Sequence, residues 1–358
     1  MFDNRSTARL LASVLGKIIS LIPAFGNICQ LMTRHLCMTI CQSDTWDFYF
    51  DLPLSARLEL EFWLTNCKDL PNLLLSPINK TPERIIFSDA SSYAAAGFVE
   101  GNVLQIAHNM YTEEEKLKSS TWRELNSVKF ILESMHTHLS GKLVKIYTDN
   151  QNVVHICQVG SMKSDLHDLA LSIYRLCIVH SITIEVEWIP RTENSQADYL
   201  SRIFDFDDWS VNSNIFQIFN NKWDKITFDR FADDKNHKVK KFNSRFWVPG
   251  THGVDAFAFD RSGENNWIAP PVGLVCKVLN HMFTCKAKGV LIVPKWKSAL
   301  FWPMIWNYTE TNFHSFILDF VEFNNPKNFF VPGSDKNSIF AKSPFISNVL
   351  VLRIDCSG

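Results

Sequence analysis

The chain lacks several features that define large classes of proteins. Its nine cysteines form no C-x-x-C pair, so their scatter favours reduced thiols in the cytoplasm or nucleus over a disulfide framework or a zinc site. The most apolar stretch, residues 10–32, is interrupted by Lys17, so no uncharged run reaches the roughly 20 residues of a membrane span. There is no G-x-G-x-x-G or P-loop motif either. We therefore expect neither membrane insertion nor nucleotide hydrolysis.

An excess of one charge is also missing. The 358 residues carry 36 Lys and Arg against 37 Asp and Glu, which gives a net charge of −1. This balance argues against a free-standing, high-affinity nucleic-acid binder, although local basic patches are compatible with it. The 46% hydrophobic content is that of a core-forming globular chain. The length is enough for two or three domains.

Four acidic residues carry most of the information in the sequence. Asp89 follows the apolar run 84–88, Asp149 follows the run 143–148, Glu124 lies in a long helical pattern, and Asp198 lies in a short helical segment. Like charges that converge raise one another's pKa values, and Mg²⁺ relieves that repulsion with carboxylate and water ligands. Two such ions can support phosphodiester hydrolysis. The pattern therefore predicts a two-metal nuclease site.

The elements around these acids follow a definite order. A strand ending at Asp89, the small-residue run 94–99 and a return strand at 103–109 predict hairpin pairing across a Gly/Asn turn. A helix with a polar start at Thr112 continues through apolar residues at helical spacing to Met135. The remaining elements are the strand before Asp149, a short helix, a helix over 165–180, a strand over 182–188 and a last helix carrying Asp198.

Residues 84–202 resemble the type I ribonuclease H domain of retrotransposon polyproteins. The resemblance implies an α/β fold, with a mixed five-stranded sheet flanked by helices and the two Asp-ending strands at its centre. It implies hydrolysis of the RNA strand of an RNA–DNA hybrid with two Mg²⁺ ions, for which Mn²⁺ can substitute. Asp89 would bridge both ions, Glu124 and Asp149 would complete one metal site, and Asp198 would complete the other.

The sequence departs from this family in two places. The loop 190–194 contains no histidine, whereas bacterial and retroviral members often carry one there. We expect this absence to affect the turnover rate rather than metal binding. The segment 159–164 is too short for a basic protrusion, so we expect weak, salt-sensitive binding of hybrid. Taken singly, each of the four acids also fits a helix cap or a solvated surface group. Glu193 competes with Asp198 but fits a helix start better.

The flanking segments carry further resemblances. Residues 1–80 resemble the end of a reverse transcriptase, on Gly16-Lys17 and on the helical stretch 54–64; an ordinary helical cap domain is the alternative. This resemblance implies a reverse transcriptase domain as partner, in cis or in trans. Phe231–Asp234 matches the short polymerase pattern Tyr/Phe-x-Asp-Asp. It lies after the nuclease region, so we interpret it as coincidence.

The C-terminal part, from about residue 208 to residue 358, resembles the region after ribonuclease H in DIRS-like and related retroelement polyproteins. The stretches that carry the resemblance are 208–210, 226–233, 254–257, 266–271 and 289–294. The order of these stretches resembles phage-type adenine methyltransferases. In those enzymes a loop supplies a polar residue and an aromatic residue to a flipped base. Here the loop is Ala-Pro-Pro-Val at 269–272 and has neither. We therefore predict a degenerate, methyltransferase-like α/β domain.

The sequence thus predicts three domains. A helical, reverse-transcriptase-like segment spans 1–80, a ribonuclease H-like domain spans 81–205, and a methyltransferase-like domain spans 206–358. The predicted function is metal-dependent cleavage of RNA–DNA hybrids as part of a retroelement polyprotein. The alternative is a non-catalytic nucleic-acid-binding or assembly scaffold that retains the fold.

Overall fold

A computed structural model describes residues 5–68, 81–101, 105–206, 209–324, 326–333, 339–341, 343 and 345–358. The predicted domain boundary after residue 80, the start of the return strand at Val103 and the predicted exit at Asp208 lie outside these residues. The chain divides into two compact units, Met1–Gln105 with Lys118–Ser201 and Ile106–Leu117 with Arg202–Gly358. Within the described part of the chain, no helix combines the length and apolarity needed to cross a membrane.

Helices dominate the first described residues. A short antiparallel pairing joins β1 (Arg5–Ser6) to β2 (Phe50–Asp51). The helices are α1 (Ala8–Ile19), α2 (Ile22–Phe25), α3 (Ile28–Leu31), α4 (Arg34–Cys41) and α5 (Leu54–Asn66). Leu11, Leu36 and Ala56 bury together and join α1, α4 and α5 in one apolar cluster. The helical segment predicted before the sheet is confirmed.

The central feature of the fold is a mixed five-stranded sheet. Its strands are β3 (Arg84–Ala90), β4 (Ala94–Val99), β5 (Gln105–Met110), β6 (Leu143–Thr148) and β7 (Thr183–Trp188). Their order in the sheet is β5-β4-β3-β6-β7. β4 pairs with β3 in antiparallel orientation, whereas β3, β6 and β7 are mutually parallel neighbours. The predicted mixed five-stranded sheet is confirmed.

The strand register explains why two of the four acids meet. Phe87 of β3 lies opposite Tyr147 of the parallel strand β6. Asp89 and Asp149 each follow this matched pair by two positions. Because neighbouring parallel strands have their C-terminal ends on the same side of the sheet, both aspartates lie at that side. They occupy equivalent positions along their strands. The central placement of the two Asp-ending strands agrees with the prediction.

Six helices lie between residues 113 and 201 of the described sequence. They are α6 (Glu113–Lys116), α7 (Ser120–Ser134), α8 (His136–Leu139), α9 (Gln151–Val159), α10 (Ser164–Val179) and α11 (Ser195–Ser201). The single helix predicted from Thr112 is wrong, because it is divided into α6 and α7. Thr112 and Glu115 form a reciprocal capping box that closes around the short α6, and the Ser119 side chain caps a new helix at Trp122 N. Two N-terminal caps therefore divide a segment whose apolar spacing alone predicts one helix.

Helix α7 is fixed to the sheet by packing and by one hydroxyl group. Leu125, Val128 and Ile131 of α7 are buried. The Ser127 hydroxyl lies 2.9 Å from Asp89 O and 3.0 Å from Ala96 O, and so bridges two strands. Glu124 lies one helical turn before Ser127, on the same face. The contact that holds α7 on the sheet therefore also aims Glu124 at the edge that carries Asp89.

The second unit contains another α/β arrangement. Its elements are β8 (Trp209–Val211), α12 (Ser213–Lys222), β9 (Phe228–Asp229), β10 (Asn265–Ile268), α13 (Val275–Thr284), β11 (Lys288–Pro294), α14 (Trp302–Ile305), β12 (Trp306–Asn307), β13 (Asn312–Phe313), β14 (Ile317–Phe323), β15 (Phe330–Pro332) and β16 (Val349–Asp355). A five-stranded sheet has the order β14-β16-β11-β10-β9. The second α/β fold is confirmed, and its methyltransferase likeness stays a prediction.

A cavity of about 570 Å³ lies within this second unit. Arg230, Asn243 and Phe257 are among its lining residues, and none of the four acids lines it. The polymerase-like segment 231–234 lies on its wall. Asp233 accepts backbone N–H bonds from Lys235 and Asn236, each at 2.8 Å. This carboxylate therefore closes a local turn.

Candidate active site

Asp89 lies near the end of β3 and is almost fully buried, with 4% of its surface exposed. The Ser201 hydroxyl of α11 donates to Asp89 Oδ2 over 2.6 Å. Burial raises the pKa of Asp89, the Ser201 hydrogen bond opposes that rise, and the charges of Asp149 and Asp198 add to it. A carboxylate in this position is held in one orientation and is costly to ionise without a nearby cation.

Glu124 reaches the same point from helix α7 and is 9% exposed. Its Oε2 atom is buried and has no hydrogen-bond partner. Burial, followed by the charges of Asp89 and Asp149, raises the pKa of Glu124 to about 9. A buried carboxylate oxygen without a partner is rare in folded proteins, and its environment favours the neutral acid unless a cation is present.

Asp149 directly follows β6, and its backbone is fixed from two sides. Trp188 Nε1 donates to Asp149 O over 3.0 Å. The next residue, Asn150, caps helix α9 by accepting from Asn152 N at 3.0 Å. Asp149, Asp89 and Glu124 each offer a carboxylate oxygen within 4.8 Å of the other two. Three of the four predicted residues thus converge.

Asp198 is close to this group but is not part of it. Its side chain in α11 is 21% exposed, and its Oδ1 accepts from Arg191 Nη2 over 2.5 Å. Its charge still contributes to the raised pKa of Asp89, so it lies within electrostatic reach. Arg191 occupies the loop in which no histidine was found. The structure therefore places the fourth predicted acid beside the site, in an ion pair with an arginine.

The three converging carboxylates fit a divalent cation. Their donor set is all oxygen, which is the set that Mg²⁺ and Mn²⁺ accept. The orphaned Oε2 of Glu124 and the raised pKa values of Asp89 and Glu124 mark a site that needs positive charge. A bound cation would satisfy the oxygen and lower both pKa values.

Sequence reasoning missed three supporting residues. Ser201 fixes Asp89, Arg191 pairs with Asp198, and Asn194 Nδ2 donates to Ser88 O over 3.0 Å. The Asn194 bond joins the loop before α11 to the strand that ends in Asp89. Ser201 follows Asp198 by three positions, which puts both residues on one helix face. That spacing is a signal the sequence carries, whereas the other two contacts depend on tertiary placement.

Comparisons with known proteins give matches only among solved structures. No family model matches the chain, and no curated protein matches it. Ribonuclease H1 from Halobacterium salinarum is 14% identical over 33% of this chain and 92% of its own, with a TM-score of 0.28. LC11 ribonuclease H1 in complex with an RNA/DNA hybrid is 15% identical over 33% and 93%, also at 0.28. A foamy viral protease-reverse transcriptase with RNA/DNA hybrid is 14% identical over 51% and 25%, at 0.24.

Proposed function

We propose that this chain is a metal-dependent endonuclease that hydrolyses the RNA strand of RNA–DNA hybrids. The observation that carries the proposal is the convergence of Asp89, Glu124 and Asp149, which come from two parallel strand ends and one helix. If no cation bound here, substitution of the three converging acids by neutral residues would stabilise the fold. The solved structures of similar fold include two in complex with RNA/DNA hybrids.

The chain's own residues would prepare the site in three ways. Asp89, Glu124 and Asp149 would hold Mg²⁺ or Mn²⁺, and the Ser201 hydroxyl would keep Asp89 in its binding orientation. Burial of Asp89 and Glu124 would exclude water that competes for their oxygens. A bound divalent cation supplies charge neutralisation for a phosphodiester undergoing hydrolysis. The products expected are a 3′-hydroxyl and a 5′-phosphate.

Asp198 is proposed as the fourth acidic ligand. Unlike the other three acids, it forms an ion pair with an arginine. Its carboxylate is paired with Arg191, whose side chain is 66% exposed and therefore has room to move. An exposed ion pair of this kind is worth only about 0.2–1 kcal/mol. A divalent cation can therefore compete with Arg191 for Asp198 at small cost.

The substrate proposed implies a source of RNA–DNA hybrid. A reverse transcriptase domain, in cis or in trans, makes such hybrids, and the helical segment before the sheet is where we propose the connection to it. RNA would be distinguished from DNA through its 2′-hydroxyl groups in the shallow groove. Because that enzyme and this substrate occur together in retroelements, we propose that this chain is part of a retroelement polyprotein.

A cleavage assay tests the function. Purified protein is incubated with labelled RNA–DNA hybrid and Mg²⁺, Mn²⁺ or EDTA, alongside Asp149→Asn. Hybrid should be cut only by the wild type and only with a divalent cation. The matched control is Glu193→Gln, because Glu193 is an exposed acid near Asp198 and should be dispensable.

The same assay separates the alternative function. If neither protein cuts hybrid but both retain it in a filter-binding measurement, the chain is a binding scaffold and the nuclease proposal fails. Equal cutting by wild type and Asp149→Asn would also contradict the proposal, because activity would then come from another site or a contaminant.

A further inference from the structure

A second cluster of metal-binding side chains lies in the same unit, away from the four acids. His35 of α4, Glu59 of α5 and His167 of α10 each offer a ligand atom within 4.8 Å of the other two. Their exposed fractions are 6%, 2% and 0%, so the cluster is buried on all sides. Two imidazoles and a carboxylate from three helices form a donor set of a different chemistry from the oxygen-only acidic site.

The carboxylate of this cluster is oriented by backbone groups. Glu59 Oε1 accepts from His35 N and Oε2 accepts from Leu36 N, each over 2.9 Å. Each oxygen keeps a second lone pair after these bonds. Metal-binding carboxylates are commonly held by such outer hydrogen bonds. Glu59 is therefore fixed in place and still able to bind an ion.

His167 is only partly satisfied by hydrogen bonding. Its Nε2 lies 3.4 Å from Glu59 Oε1, which is longer than the usual N–H···O distance of about 2.9–3.0 Å. Two ligands of one tetrahedral zinc ion, with bonds of about 2.0–2.1 Å, lie roughly 3.3 Å apart. The other ring nitrogen, Nδ1, is buried and has no partner. This ring is therefore placed for a contact that the described hydrogen bonds do not provide.

The surroundings supply an outer partner for one of the two histidines. A Cβ built at Gly160 would lie 2.7 Å from His167 Nδ1 and 2.9 Å from Arg34 Cγ, so glycine is needed where the chain packs against this ring. His35 Nε2 lies 3.2 Å from Asp168 Oδ1, and the Asp168 side chain is 62% exposed. A carboxylate behind a histidine orients the imidazole as a ligand.

We propose that His35, Glu59 and His167 form a site for a zinc-class divalent transition metal. Imidazole together with carboxylate suits Zn²⁺ or Co²⁺, whereas Mg²⁺ prefers oxygen alone. The ion joins α4, α5 and α10 and so ties the helical segment to a helix of the sheet domain. This site is independent of the nuclease proposal, because none of its ligands belongs to the acidic group.

Cobalt spectroscopy tests the site. Metal-stripped protein carrying Asp89→Asn and Asp149→Asn, which disable the acidic site, is titrated with Co²⁺ and read by its visible d–d absorption. One equivalent should produce the band, and Zn²⁺ should remove it. The change His167→Gln on the same background should abolish the band, whereas His155→Gln, at an exposed histidine on α9, should leave it unchanged.

The exposed outer residue provides a variant that does not disturb the buried helices. Asp168→Asn should weaken Co²⁺ binding by about 10–100-fold. Far-ultraviolet circular dichroism establishes that each variant is folded. No band in the folded parent, a band retained by folded His167→Gln, or unchanged affinity in Asp168→Asn would each overturn the proposal. If His167→Gln does not fold, the Asp168→Asn titration decides alone.

Discussion

Arg191 Nη2 donates to Asp198 Oδ1 over 2.5 Å and places a positive charge beside the acidic site. The hydrogen bond and charge of Asp198 raise the pKa of Arg191, and the charges of Asp149 and Asp89 add to that rise. The guanidinium in turn opposes the raised pKa values of Asp89 and Glu124. Arg191 therefore acts as a counterion to the whole group and competes with any divalent cation that binds there.

Removal of this counterion should strengthen metal binding. In Arg191→Ala, Asp198 loses this ion pair and the four acids lose nearby positive charge. An exposed pair is worth at most about 1 kcal/mol, so we expect Mn²⁺ to bind up to about fivefold more tightly. Isothermal titration with Mn²⁺ measures the change. Arg175→Ala, at an exposed position on α10, is the control, and weaker Mn²⁺ binding in Arg191→Ala would contradict the competition.

Glu124 should make the metal-free protein less stable as the pH rises. Burial raises the pKa of Glu124 in the folded state from its usual 4.5 to about 9. The folded state binds this proton more tightly than the unfolded state, and this difference stabilises the fold. The contribution is complete below about pH 4.5 and is lost as the pH rises towards about 9. Relative to Glu124→Gln in EDTA, wild type should lose on the order of 2–3 kcal/mol between pH 6 and pH 8.

Urea unfolding of both proteins at the two pH values measures this difference. Saturating Mg²⁺ should reduce it, because a bound cation stabilises the ionised carboxylate. A wild-type stability that changes with pH in parallel with Glu124→Gln would show that the carboxyl group ionises normally, and would contradict the burial argument.

The strand-ending acids could be predicted from the sequence because local pattern and sheet topology determine them together. Apolar runs before Asp89 and before Asp149 predicted two strands. It was the resemblance to the ribonuclease H domain, and not the runs alone, that implied that these strands lie side by side. The helix over 165–180 was predicted equally well, since α10 spans Ser164–Val179. The break between α6 and α7 was not predicted. The three residues between the two helices give a weaker sequence signal than the apolar spacing around them.

The lateral contacts of the site could not be predicted. The pairing of Arg191 with Asp198 and the bond from Ser201 to Asp89 depend on how the loop 190–194 and α11 settle on the sheet. Sequence spacing identifies Asp198 as a candidate ligand but does not give the distance that separates it from the other three acids. The domain boundaries and the roles of the four acids stay predictions for the assays above.

Loss of the Ser201 hydroxyl should impair metal binding most at low pH. The Ser201 hydrogen bond lowers the pKa of Asp89 against the effect of burial. In Ser201→Ala that pKa rises further, so a proton competes with the cation up to a higher pH. We expect the midpoint of Mn²⁺ binding against pH to move upward, because the ionised carboxylate loses the hydrogen bond that favours it. Ser195→Ala, at an exposed position at the start of α11, should bind as wild type; an unchanged midpoint in Ser201→Ala would contradict the assignment.

Gly97 tests whether the packing of α7 on the sheet determines the site. A Cβ at position 97 would lie 2.2 Å from Ile131 Cδ1 and 2.4 Å from Phe87 O. The backbone oxygen cannot move without disturbing β3, so Gly97→Ala should lower the free energy of unfolding by about 1–3 kcal/mol. Because α7 also carries Glu124, Mn²⁺ binding should weaken as the helix is displaced.

The matched control is Gly16→Ala in α1, where nothing lies within 4 Å; there helix propensity predicts a gain of up to about 1 kcal/mol. Urea unfolding and Mn²⁺ titration of both variants measure the two effects, and a Gly97→Ala protein as stable as wild type would contradict the close packing of α7.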